Sequence, residues 1–191
     1  MAALWIATHS ESSSNSKAAA VNAGPPWILG RDDSRFRIVE FSDLECPYCR
    51  KYFVTLKDLV RTHPEVSLEW RHFPLSNHEP TATQAARVVE CAGEVGGTEA
   101  FWEAVARKYR DQPFSLSSEV AECLRSKRPD KIIAAQASAG RKARIDATPT
   151  VQIVDRKSGR SLSLQGLLEA DALLSAMDWL AAPEFKEGNG A

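Results

Sequence analysis

The run Phe41-Ser42-Asp43-Leu44-Glu45-Cys46-Pro47-Tyr48-Cys49 constrains this chain more than any other stretch. It puts a Cys-x-x-Cys pair where an apolar strand, Phe36 to Phe41, feeds a helix. Pro47 suits the first helical turn, where its missing N–H costs nothing. A thiol at a helix start meets backbone N–H groups that lack intrahelical partners, together with the positive end of the dipole. Its thiolate is therefore favoured. The second cysteine lies one turn on and can close a disulfide. This is the layout of a dithiol redox centre.

The flanking pattern supplies a scaffold for it. The helix runs to about His63, with Phe53, Leu56, Leu59 and Val60 at helical spacing, and Pro64 ends it. Val66 to Arg71 alternates apolar and polar residues, as a half-buried strand does. That completes a strand–helix–strand unit with joints short enough for a parallel pair and a right-handed crossover. A helical middle follows. Thr81 to Ala92 carries Ala82, Ala85, Ala86 and Val89 on one face, and Glu99 to Tyr109 carries Phe101, Trp102, Val105 and Tyr109. A short helix capped by Ser117-Ser118 runs through Cys123-Leu124, and a longer one opens at Pro129-Asp130 and runs to about Arg144. Strands return at Thr150–Val154 and, more weakly, Ser161–Leu164, with a turn at Lys157-Ser158-Gly159. The last helix, Glu169 to Ala181, has Ala172, Leu173, Ala176, Met177 and Leu180 on one stripe. The class is α/β. The expected division is a flexible leader over 1–24, a dithiol-bearing first half over 25–75, a helical insertion with a connecting helix over 76–145, a second half over 146–182 and a tail over 183–191.

Charge narrows the partners. With 24 basic and 25 acidic residues the net charge is −1, which offers no electrostatic case for nucleic acid or an anionic membrane. No apolar run approaches the ~20 residues that span a bilayer. Ala2 to Ala7 is apolar, but no basic region precedes it, so it is not a complete signal peptide or anchor as it stands. A trimmed remnant of one and a plain disordered start are the two readings.

A lone Cys-x-x-Cys could also be half a zinc site. Zinc wants four ligands, however, and here Cys91 and Cys123 are isolated singles and the four histidines are scattered. The strand–helix–strand context favours redox chemistry. Ala147-Thr148-Pro149-Thr150 sharpens that reading. A proline at a strand entry can take the cis form. Facing a dithiol, it leaves the preceding backbone free to pair with an extended substrate. An ordinary trans proline at a strand start is the alternative.

Glu40 to Cys49, then Trp70-Arg71-His72-Phe73-Pro74-Leu75, the helical insertion and Ala147-Thr148-Pro149-Thr150 resemble the DsbA-like bacterial thiol:disulfide oxidoreductases over about Trp27 to Leu180. The resemblance implies a thioredoxin fold, a central mixed sheet flanked by helices, with an inserted α-helical subdomain and a periplasmic address. It departs at two places. Typical members of that family have His at the third position of the dithiol motif. Tyr48, and Thr148 before Pro149, are more similar to the DsbC and DsbG isomerases, but the leader is too short for that branch's dimerisation domain. The direction of electron flow is left open by this.

Roles follow for the site residues. Cys46 is expected to be an exposed, low-pKa nucleophile and Cys49 the resolving thiol, with Pro47 and Tyr48 tuning the thiolate and Thr148-Pro149 lying opposite. Glu40 ends up under the active site if the strand stops there, with a raised pKa, as a proton acceptor for Cys49. The resemblance implies an acid at this place, and an ion pair with Arg71 or Lys51 is the alternative. His72 reads as a packed, hydrogen-bonded residue, and Trp5, Trp27, Trp70, Trp102 and Trp179 as core or leader residues. Cys91 and Cys123 fall on two helices. A structural disulfide between them would close a loop of about 33 residues and contribute about 3–4 kcal/mol; two buried free thiols are the alternative.

The expected protein is an exported, monomeric thiol:disulfide oxidoreductase that needs no metal or cofactor. It oxidises reduced or unfolded substrate proteins and is itself reoxidised by a membrane partner. A reductase or isomerase is the near rival, and a binder of a soft metal such as Cu(I) through Cys46 and Cys49 is the rival from another class.

Overall fold

The computed structural model describes residues 25–114 and 116–183. The expected leader, Trp5 within it, and all of the expected tail except Pro183 lie outside these residues. The elements are β1 (Ile28–Leu29), β2 (Phe36–Ser42), α1 (Pro47–Thr62), β3 (Val66–His72), α2 (Thr81–Tyr109), α3 (Ser118–Arg125), α4 (Arg128–Lys142), β4 (Thr150–Asp155), β5 (Ser161–Gln165) and α5 (Ala170–Ala181). They build a five-stranded mixed sheet in the order β1-β3-β2-β4-β5. The central strand β2 runs parallel to β3, to which α1 connects it, and antiparallel to β4. This is a thioredoxin fold with three helices inserted between β3 and β4.

Side-chain alternation along β2 sorts two cores. Phe36 and Ile38 point into the larger one, with Leu56 and Leu59 of α1, Trp70 of β3, Phe101 and Val105 of α2, and Leu173, Met177 and Leu180 of α5. Phe41 points the other way, joining Phe73, Ala137 and Ile145 beneath α4. Glycine decides how closely α4 can approach there. A Cβ at Gly140 would lie 2.7 Å from the Phe73 ring and 3.0 Å from Phe41.

The two middle helices are separate, as expected: α2 breaks at Gly97, whose φ of 76° and ψ of −167° are not helical, a conformation that any other residue adopts at a cost. Other expectations are corrected. Strand β1 was not anticipated, because two residues carry no periodicity. It pairs antiparallel to β3 at the sheet edge. Trp179 is not a core residue: it is 58% exposed, with the Arg160 guanidinium 4.6 Å above its ring. Ala172 is exposed as well. His72 is packed as expected. It accepts from Trp70 Nε1 at Nδ1 (3.0 Å), while Nε2 faces Glu90 Oε2 (3.2 Å).

Cys91 of α2 and Cys123 of α3 are joined, with a Cα–Cα distance of 5.7 Å and a sequence separation of 32. The bond staples the short helix α3, which buries little besides Cys123 itself, to α2. Replacing both cysteines with alanine is expected to lower the unfolding free energy by about 3–4 kcal/mol, mainly through a less restricted unfolded chain. Urea titration of the oxidised variant against the parent measures this; a change below about 1 kcal/mol would count against it.

Candidate active site

The dithiol turn follows from three local causes. β2 ends at Ser42, and the Cys46 N–H closes a turn onto the Asp43 carbonyl (3.1 Å). Cys46 then caps α1 with extended dihedrals, φ −74° and ψ 121°, and Pro47 takes the first helical position. Cys49 lies one turn on, on the face that α1 buries with Tyr52, Phe53 and Leu56. Both cysteines are free thiols.

Cys46 is less open than its expected role implies. It is 4% exposed, and the accessible part of the turn is Pro47 and Tyr48, the latter 58% exposed. Thr148 covers the sulfur, for the Cys46 thiol donates to the Thr148 carbonyl at 3.5 Å. The Thr148–Pro149 bond is cis, as anticipated; a second cis bond, Glu79–Pro80, was not foreseen. The Pro149 carbonyl accepts from the Gly166 N–H (2.9 Å), which ties this turn to the end of β5.

The two thiols sit in opposite electrostatic settings. The Cys46 pKa is lowered to about 5, first by the hydrogen bond from the Cys49 thiol, then by the backbone N–H of Cys49, the Thr148 side chain and the Tyr48 N–H, all against the opposing effect of burial. The Thr148 hydroxyl has no hydrogen-bond partner among the described residues, which frees it to serve the thiolate once the proton has gone. Burial pushes the Cys49 thiol far up, helped by its hydrogen bond to Cys46 and by the charge of Glu40.

Glu40 lies where expected. It occupies the middle of β2, opposite Trp70 and Val151, and shares its face with Ile38. It is wholly buried, and burial is the main reason its pKa rises to about 8. Ser42 lies close enough to favour the charged form a little, but its hydroxyl pairs with Tyr109 Oη (3.2 Å), and neither Glu40 oxygen has a hydrogen-bond partner among the described residues. The alternative ion pair is not made with Arg71, which instead meets Glu69.

Three polar residues of this site were missed from sequence. Ser42 and Tyr109 bridge the sheet to the insertion, and the Tyr52 hydroxyl is buried without a partner among the described residues, its pKa raised by burial and then by Glu40. Tyr52 could have been found, because the spacing Cys49, Tyr52, Leu56 follows one helix face. Tyr109 could not, since it is 60 residues from the dithiol. Salt bridges from the insertion frame the mouth: Lys108 meets Glu45 at 2.8 Å, and Arg50 meets both Asp111 oxygens at 2.7 and 2.8 Å. Among the described residues no group of three or more His, Cys, Asp or Glu is gathered as a metal site.

Comparison with known proteins agrees with this geometry. The thioredoxin family model matches residues 22–170. The fold superposes on DsbA2 of Pseudomonas aeruginosa with a TM-score of 0.78 and 36% identity, covering 86% of this chain and 98% of that one. It superposes on the catalytic domain of Proteus mirabilis ScsC with a TM-score of 0.68 and 20% identity, covering 88% and 97%. A stretch of 76 residues, 40% of this chain, is 37% identical to part of the Na(+)/H(+) antiporter NhaA 3 of Salinispora tropica, and the match spans 11% of that protein's length. Antiporter NhaA 1 of Mycolicibacterium gilvum is 40% identical over 78 residues, 40% of this chain and 12% of its own length. This chain thus covers about a tenth of the curated relatives it matches.

Proposed function

Because this chain belongs to the thioredoxin family, among its DsbA-like thiol:disulfide oxidoreductases, we propose that it exchanges disulfides with substrate proteins through Cys46 and Cys49, chiefly as a disulfide donor in the periplasm. The observation that carries the direction is the asymmetry of the thiols, with Cys46 lowered to about 5 while Cys49 is pushed up. A stabilised Cys46 thiolate stabilises the reduced dithiol, and the disulfide becomes the stronger oxidant. The buried Cys91–Cys123 bond fits an oxidising compartment. Among the described residues no helix is long and apolar enough to cross a membrane.

The cycle balances as follows. A substrate thiolate attacks Cys46 Sγ of the oxidised protein, and the Cys46–Cys49 bond breaks. Cys49 leaves with the electron pair and, given its high pKa, takes a proton, which neutral Glu40 supplies; the buried position and raised pKa of Glu40 support this role. A second substrate thiolate attacks the substrate sulfur of the mixed disulfide, and Cys46 leaves as a thiolate. The substrate's two thiols are oxidised and the dithiol is reduced; a membrane redox partner then removes the two electrons. Substrate backbone pairs beside Thr148 and Pro149 as an added strand. One chain supplies both thiols, the acid and this pairing edge, which supports a protein that works as a monomer.

One observation favours the reverse direction, as a reductase or isomerase: Tyr48 stands where a histidine would provide a partly cationic donor, and a phenol offers at most a neutral hydroxyl. The reduction potential, equilibrated against glutathione, separates the two readings. A value above about −180 mV supports the donor, and one near −250 mV or below makes the protein a reductase. Tyr48→His is expected to raise the potential by about 30 mV for each unit it takes off the Cys46 pKa. An unchanged or lower potential in that variant sinks the tuning role of Tyr48.

A further inference from the structure

Asp43 sits at the foot of the dithiol turn, and its carboxylate is wholly buried. Three donors converge on it from two chain segments. Oδ1 accepts from the Glu45 N–H at 2.8 Å. Oδ2 accepts from the Leu75 N–H at 2.9 Å and from His78 Nδ1 at 2.8 Å. A carboxylate offers only acceptors, so Nδ1 carries the hydrogen. Leu75 and His78 belong to the loop between β3 and α2, which is also pinned to the sheet by the Phe73 N–H on the Ser42 carbonyl (2.9 Å).

The Asp43 backbone faces the chemistry. Its carbonyl accepts from the Cys46 N–H (3.1 Å) and from Tyr109 Oη (3.4 Å). Its N–H is directed at the Cys49 sulfur. One residue therefore has its main chain on both cysteines and its side chain locked by a separate loop.

We infer that Asp43 is a positioning residue for the dithiol and that His78 is its lock. The pair holds the turn so that the first N–H groups of α1 aim at the Cys46 sulfur. This rests on the oxidoreductase reading of Cys46 and Cys49. It assigns to residues on another loop part of the thiolate-tuning otherwise attributed to the two residues between the cysteines. Loss of the lock relaxes the turn, weakens the alignment of the Tyr48 and Cys49 N–H groups and makes the disulfide a weaker oxidant.

The test uses the full chain carrying His78→Leu, His78→Asn or Asp43→Asn. Two quantities are read: the exchange equilibrium with glutathione, and the pH midpoint of Cys46 alkylation by iodoacetamide in the reduced protein. His78→Leu and Asp43→Asn are expected to shift the equilibrium about tenfold toward the oxidised protein and to raise the midpoint by about one unit, the two being the same free energy. His78→Asn keeps an N–H near the position of Nδ1 and is expected to stay within about twofold of the parent. A folded His78→Leu protein with parental equilibrium and midpoint overturns the inference and leaves Asp43 a fold-holding residue. His78→Asn behaving like His78→Leu overturns it too, because the hydrogen bond then does not matter. If Asp43→Asn does not fold, the two His78 variants decide. A parent protein with no reactive Cys46 would instead sink the underlying redox reading.

Discussion

Alkylation of the reduced protein should titrate with a midpoint near pH 5, where the Cys46 pKa lies, and Cys46→Ala should abolish both this reaction and disulfide exchange. The size of the effect depends on two opposing factors. At pH 6 a thiol of pKa 5 is almost fully ionised, whereas an ordinary one is about a thousandth ionised. The more acidic thiolate is also less nucleophilic, which takes back some 40- to 100-fold, so a net gain of about tenfold over an ordinary cysteine remains. Cys49→Ala is expected to keep a reactive Cys46 but lose turnover, leaving mixed disulfides unresolved. Its midpoint should also move upward, since the Cys49 thiol is the largest single cause of the low Cys46 pKa. Rates against pH, with the alkylated residue located by mass spectrometry, measure both. A parental midpoint near 9 would remove the electrostatic basis of the donor reading.

The second large effect is expected at Glu40. In the unfolded chain its pKa is near the ordinary 4.5, and in the folded protein it is about 8. The folded state therefore holds the proton more tightly between these values. The stability associated with the neutral carboxyl is fully present below pH 4.5 and is lost as pH rises through 8. Over that window the loss is roughly 5 kcal/mol at 1.36 kcal/mol per unit. Glu40→Gln removes the titrating group, so it should gain on the parent progressively from pH 4.5 to 8 and no further above that. The same change should slow exchange about a hundredfold, the usual scale for loss of a positioned acid or base, because Cys49 then leaves without a proton donor. Urea midpoints across pH and stopped-flow exchange with a reduced peptide read the two effects. A parallel pH dependence of stability in both proteins would show that Glu40 is not held neutral. An unchanged exchange rate would take it out of the proton path.

Opposite signs in these two measurements would mark Glu40 as a functional group rather than a structural one. Among the described residues both Glu40 oxygens lack a hydrogen-bond partner, an arrangement that costs stability. The aromatic cluster around the site is different in kind: Phe53, Trp70, Phe101, Trp102 and Tyr109 pack on one another with centroid separations of 5.4–6.3 Å. They seal the site from water and so set the burial that raises Glu40 and Cys49.

Local pattern alone determined the strand–helix–strand unit, the second pair of strands and the last helix, because each is written in side-chain period and in turn residues. It also determined the dithiol, since two cysteines one turn apart at a helix start bring the second thiol and the first free N–H groups of the helix to the first sulfur. Alternation along β2 puts Phe36, Ile38 and Glu40 on one face, but the burial of Glu40 was decided by the layers that cover both faces of the strand. Tertiary structure alone decided the rest. Whether Cys91 meets Cys123 depends on how α3 lies against α2, and whether Trp179 is inside depends on which face of α5 meets the sheet. The low exposure of Cys46 depends on a turn about a hundred residues away, and the grip on Asp43 on a loop about thirty residues away. Hydrogen bonds and burial act over a few ångströms in space, and sequence period reports only on neighbours along one element.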